Sequence, residues 1–354
     1  MPMTPYSIPP EAWERLDCLV DRIEAAPGDM VKVSEWRDLE DELDLQRIVG
    51  TLPEGLDDDD LIGILKLAML TECATESYGE QIKIQARRYG AGWLERFNDR
   101  VWTPDELTHH TPYKSILLKL GFSEAEINRE VKETQEKQYE HHGGETPVHV
   151  STFGMLQEYL TDHWHGLIAQ LLKPASERGA ALANHVKRRE TLHTMWYRDM
   201  TALQVEADPS FVRYVAEEIS RFRMPGNSLV PELQARAVAW LPLMGADMAR
   251  VLKDVKRLFY TTAGTPRLAG ELALELAARR GIELGPVSPR TLMAAFDRLG
   301  GRGYGIVGEA LLQSSGLGYL YPRPEGPVKL HERIRGLVRD WLSARIRLEG
   351  GLTG

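Results

Sequence analysis

Trp-Thr-Pro-Asp-Glu-Leu-Thr-His (102–109) and Arg-Glu-Thr-Leu-His (189–193) each set a glutamate three residues before a histidine: Glu106 with His109, and Glu190 with His193. On a helix that spacing brings both side chains to one face. Two further glutamates lie on apolar stripes of their own. Glu72 follows Leu65, Ala68 and Met69 at helical spacing, and Glu158 lies between Met155 and Thr161. Ala183 and Val186 likewise precede Glu190 on an apolar face. Each acid is therefore expected to point into a helical core.

Buried carboxylates without partners are costly, so a core holding four of them calls for cations. Four carboxylates and two imidazoles, drawn from four long helices, match the donor set of a carboxylate-bridged dinuclear centre in a ferritin-like bundle. Oxygen and nitrogen donors without thiolate favour iron or manganese over structural zinc. With 33 Glu and 10 His in the chain, chance alone supplies about one Glu-x-x-His. The argument therefore rests on order: Glu, Glu-x-x-His, a crossover, Glu, Glu-x-x-His. The competing reading makes Glu72 and Glu158 solvated or ion-paired and the histidines ordinary capped or core residues.

The rest of the sequence agrees with an all-α protein, since apolar positions recur at three and four and β-branched runs are scarce. Helices are expected at about 10–26, 33–50, 57–89 and 92–121 with a kink or break near Pro104. Others follow at 123–142, 148–173, 178–205, 209–222 and 229–260. Ser123 with Glu126 forms a capping box at the start of the polar crossover helix. After residue 264 the composition shifts to Gly, Leu and Arg. The expected organisation is a bundle over 1–264, with the helices of 1–50 packed on it, and a mainly helical extension over 265–354. A net charge of −9 over 354 residues argues against a nucleic-acid-coating or membrane-surface protein. Two cysteines, no leader pattern at the N-terminus and no apolar run of membrane length fit a cytoplasmic protein.

These motifs resemble the soluble acyl-acyl-carrier-protein desaturases over about Leu52 to Pro231. Leu-Thr-Glu-Cys-Ala-Thr-Glu-Ser-Tyr (70–78) is similar to the family's first ligand helix, and 102–109 to its Trp-Thr-x-Glu-Glu-x-x-His block. Phe153 to Thr161 and Arg189 to His193 resemble the third and fourth, with Ala207-Asp208-Pro209 and Met224-Pro225 in register. The resemblance implies a ferritin-like homodimer with two iron ions and O2 as co-substrate, reduced by a ferredoxin-type donor. Its substrate would be an acyl chain on acyl carrier protein, lying in an apolar tunnel. It assigns Glu106 and Glu190 as bridges, Glu72 with His109 and Glu158 with His193 at the two ends, and Thr161 as the active-site threonine. Two positions depart from the pattern: Arg189 and Cys73 stand where the family usually has acids.

Two alternatives remain at this stage: a diiron oxygenase that hydroxylates or N-oxygenates another metabolite, and a ferritin-like metal-binding protein without turnover. Among weaker signals, Arg87-Arg88 and Lys187-Arg188-Arg189 read first as solvated helix faces and second as a carrier-docking patch. His110 and the pair His141-His142 read as surface histidines. Met69, Met155, Met195 and Met200 read as core filler before tunnel lining. Gly300 to Gly305 reads as a loop, and Cys73 as no nucleophile.

Overall fold

The computed structural model describes residues 6–32, 44–137, 139, 141, 143–279 and 288. Every regular element among them is helical, in a ferritin-like bundle with additional helices. In chain order these are α1 (Pro10–Ala25), α2 (Leu45–Val49), α3 (Asp58–Glu72), α4 (Thr75–Arg88), α5 (Gly92–Phe97), a π-helical turn (Asn98–Trp102), α6 (Thr103–Glu106), α7 (His110–Lys119) and α8 (Glu124–Gln135). Then come α9 (Pro147–Leu172), α10 (Glu177–Ala207), a 3-10 turn (Pro209–Phe211), α11 (Val212–Arg221), α12 (Gly226–Leu229), α13 (Pro231–Leu243), α14 (Met248–Ala263) and α15 (Pro266–Arg279).

The bundle is built from two pairs. α9 and α10, 26 and 31 residues long, pack along most of their length, and α3 packs on α7. The pairs meet through α3 against α9 and α7 against α10. Both long helices have defined starts: the Thr146 side chain caps α9 at His149, and Ser176 caps α10 at Gly179, each satisfying a free backbone N–H. On α3, the Asp57 and Asp60 side chains exchange hydrogen bonds with each other's backbone in a capping box. Asp60 also accepts from the Trp240 indole at 2.8 Å, which ties α3 to α13. Gly63 allows that approach, since a Cβ there would lie 2.8 Å from the Trp240 ring.

Three expected helices differ from the structure. The segment 57–89 breaks at Cys73-Ala74 into α3 and α4, so Glu72 closes a helix instead of lying within one. The Thr75 hydroxyl donates to Glu72 O and the Tyr78 hydroxyl to Thr71 O, satisfying carbonyls that the break releases. The segment 229–260 divides into α13 and α14 at Gly245, whose φ of 82° needs glycine. The crossover helix stops at Gln135 rather than 142, and only its Ile127 and Thr134 are buried. Of the segment 33–50 only α2 is described. Of the extension after 264 the described part is α15 and its neighbours, with α15 packing on α11 and α14 through Leu272 and Leu276. The glycine-rich run 300–305 and His142 lie outside the described residues.

Behind the crossover, Glu218 on α11 is fully enclosed and accepts from Gly144 N at 2.9 Å. A Cβ on Gly143 would lie 2.1 Å from its carboxylate. Burial pushes the Glu218 carboxyl up to about 8. The folded state therefore holds a proton that the unfolded chain releases in the ordinary carboxyl range, and stability falls as pH rises from there through about 8. Glu218→Gln is expected to remove that slope and to raise stability at pH 8 by roughly 2–4 kcal/mol, read from denaturant midpoints across pH.

Candidate metal centre

The six predicted side chains come together where the two helix pairs meet. Glu72, Glu106, His109 and Glu190 form one group in which one donor atom from each lies within 4.8 Å of the others. Glu106, Glu158, Glu190 and His193 form a second. Glu106 and Glu190 belong to both groups, and all six residues are buried.

The two halves are positioned differently. Glu158, Glu190 and His193 stand well inside the long helices α9 and α10. Glu72 ends α3, Glu106 ends α6 and His109 caps α7, so the other three sit at helix joints. The π-helical turn just before α6 carries Trp102, whose indole N–H donates to Glu158 Oε1 at 2.8 Å. Sequence reading did not anticipate that turn.

His109 Nδ1 lies 2.7 Å from Glu190 Oε1, and His193 Nδ1 lies 2.7 Å from Glu106 Oε1. All four of these atoms are buried, yet none completes a hydrogen bond. Short contacts without hydrogen-bond alignment, between donors facing one enclosed space, suit coordination to a cation better than contact with each other. The proton balance agrees. Burial first, then the Glu106 charge, holds Glu72 and Glu190 well above the carboxylate range. Burial opposes charging of the histidines, but it is overcome chiefly by Glu106 at His109 and Asp105 at His193, and both imidazoles are driven well up. Protons thus stand in for the positive charge that four clustered carboxylates demand. The donor set fits a pair of iron or manganese ions, with Nδ1 as the metal-facing nitrogen of each histidine.

Behind the histidines sits Asp105, whose role the sequence reading missed. Its Oδ2 is 2.9 Å from His193 Nε2, and its Oδ1 is 3.5 Å from His109 Nε2. The carboxylate thus holds His193 by a hydrogen bond and lies beside His109 without one, and the two imidazole rings stack 13° from parallel. Arg189, 2% exposed, donates from Nε to Asp105 at 2.7 Å and from Nη2 to Pro27 O at 2.7 Å. Its guanidinium lies over Trp196 at 5.7 Å. Gly28, at φ 79°, is required beneath it: a Cβ would come within 2.6 Å of Nη1. Arg189 therefore neutralises Asp105 and fastens the segment after α1 to the site. It is not part of a basic surface patch, which corrects that reading of 187–189; Arg87 and Lys187 are also paired, with Glu95 and Asp162.

Thr161 donates within its own helix and lies 3.3 Å from Glu190 Oε2. His165, also unanticipated, approaches Glu72 Oε1 at 3.3 Å and meets the Tyr113 hydroxyl through Nδ1. Burial, then the nearby His109, pushes it down to about 3, so it remains neutral. Its pattern in the sequence, inside His-Trp-His, carries no signal beyond that of a core histidine. Cys73 is buried and its thiol is pushed up to about 12 by burial and Glu72, in keeping with no nucleophilic role. His110 is partly buried and lowered to about 4 by burial, rather than a surface histidine. His141 is partly buried, its Nε2 held 2.9 Å from Gly144 O. Met69, Met155 and Met200 are core residues, while Met195 is exposed.

The model of the family described as Fatty acid desaturase matches residues 27–238, an interval that contains all six donors, Asp105 and Arg189. No curated protein matches the chain. No helix among the described residues is long and apolar enough to cross a membrane.

Glu158→Ala or His193→Ala removes a donor from one group and is expected to lower the iron retained per chain after anaerobic loading and desalting, with the helical spectrum intact. Arg189→Met keeps all six donors but leaves Asp105 charged and buried without its cation. It is expected to cost about 3–5 kcal/mol in denaturant unfolding.

Proposed function

The chain belongs to the fatty acid desaturase family, and on that premise we propose that it is an O2-dependent desaturase acting on an acyl chain carried by acyl carrier protein. Two iron ions, a ferredoxin-type electron donor, a homodimeric assembly and a cytoplasmic setting complete the proposal. The observation that carries it is the pair of four-residue groups sharing Glu106 and Glu190.

When bound, the iron pair supplies the reductive activation of O2 that removes two hydrogens from adjacent carbons, with two external electrons and two protons completing reduction to water. The chain's own residues contribute holding and positioning. Asp105 fixes the His193 imidazole, and the Trp102 N–H fixes Glu158. The Thr161 hydroxyl, 3.3 Å from Glu190 Oε2, is placed to hold and pass a proton beside the metal-facing carboxylates. An apolar cavity of about 70 Å³ opens against Glu72 and Thr161, walled by Leu67, Leu160, Trp164 and Leu241. That lining supports an aliphatic substrate and excludes water from the reacting carbons.

A second reading, oxygen insertion by the same centre, draws on Arg189, which puts a cation behind His109 and His193 where the resembling family usually has an acid. One experiment separates the two. The iron-loaded protein is given a reductase system, O2 and a panel of acyl carrier thioesters, and products are weighed: loss of two hydrogens supports desaturation, and gain of one oxygen supports insertion. Thr161→Val is expected to leave iron content unchanged and to slow product formation roughly tenfold or more, with more O2 consumed per product.

A further inference from the structure

A second cavity meets the metal centre on the Glu158 side, bounded by α4, α9, α10, Tyr139 and His141. On α9 its wall is the face Val150, Phe153, Gly154, Gln157 and Glu158, a span of two helical turns or roughly 12 Å. Trp102 and Glu158, already joined by a hydrogen bond, close its inner end. About 30 Å³ is open within it, room for a small group or a pair of waters.

Three carboxamides enter this lining beside the Glu158 carboxylate, His141 and aromatic rings. Gln81 and Gln85 are one turn apart on α4 and so share a face, while Gln157 is adjacent to Glu158. Gln85 and Gln157 are 7% and 8% exposed, and none of the three side-chain amides hydrogen-bonds to another described residue. Their amides line the cavity, where water or a ligand group able to accept and donate meets them, and an amide that loses such a partner on burial costs roughly 1–3 kcal/mol. No lysine or arginine lines the cavity, which disfavours a terminal carboxylate or phosphate. The cavity beside Glu72 is also lined by Gln234, and His163 Nε2 and Trp164 Nε1 there are buried without a partner, but it holds one carboxamide where this cavity holds three.

We propose that this cavity binds the far end of the substrate, beyond the reacting carbons, and that this end carries a neutral hydrogen-bonding group such as a hydroxyl, ketone or amide. Gln81, Gln85 and Gln157 read that group and reject a plain alkyl terminus, whose entry would leave the amides unpaired. The inference rests on the acyl-desaturase reading and narrows its substrate class to polar-ended chains.

The test uses the iron-loaded protein, kept oxidised, with a chain-length series of straight acyl pantetheine thioesters and their ω-hydroxy and ω-amide counterparts, binding being measured by calorimetry. At one chain length a polar-ended ester is expected to bind about tenfold tighter than its alkyl equivalent, the worth of one well-made hydrogen bond. Gln85→Leu and Gln81→Leu are expected to abolish that preference; Gln81 is only partly buried, so its variant serves if the Gln85 variant fails to fold. Equal or tighter binding of the alkyl esters at every length overturns the pocket inference and leaves the acyl reading standing. Failure of every ester to bind overturns both.

Discussion

Mutual repulsion among four buried carboxylates is the constraint to which the rest of this fold answers. Glu72, Glu106, Glu158 and Glu190 could not share one enclosed space as bare anions, since each loses hydration and gains like-charged neighbours. Burial and the neighbouring charges accordingly hold Glu72 and Glu190 well above the carboxylate range and drive both histidines up. A bundle assembled around such a space is a container for positive charge, whatever chemistry that charge performs.

Asp105 and Arg189 extend the same electrostatic logic outward. A carboxylate enclosed behind two imidazoles and bonded to one of them would itself be an uncompensated buried charge, and the Arg189 guanidinium beside it cancels that charge. Its Nη2 also reaches Pro27 O, so the backbone after α1 becomes part of the support for the histidines. In this way a peripheral helix is tied to the core by one buried cation instead of by apolar packing alone.

The bundle and the convergence of the six donors could be read in the sequence because helical periodicity converts spacing into direction. Once Glu106–His109 and Glu190–His193 are placed on faces, apolar neighbours decide which way the faces turn. The break at Cys73-Ala74 was not legible: neither glycine nor proline marks it, and its released carbonyls are satisfied by Thr75 and Tyr78, residues that read equally well inside a helix. Asp105 was hidden for a similar reason, since an acid beside a ligand in a first helical turn is ordinary there. Arg189 read as one of three surface cations because only tertiary structure shows its helix turned toward Asp105. His165 gave no signal because a buried histidine takes its meaning from neighbours distant in sequence, here Glu72 and Tyr113.

The placement of one half of the cage at helix joints and the other within continuous helices makes the site mechanically unequal. Glu158, Glu190 and His193 are carried by two long rods that can shift only if their shared interface shifts. Glu72 ends the 15-residue α3 and Glu106 and His109 flank a turn, so their backbone can pivot by small torsional changes at Cys73-Ala74 and at residues 107–109. A change in ionic radius or coordination number would thus be absorbed on one side, as the movement of a jaw against a fixed anvil. The stiff side keeps the register of the reacting centre while the compliant side tracks the occupant.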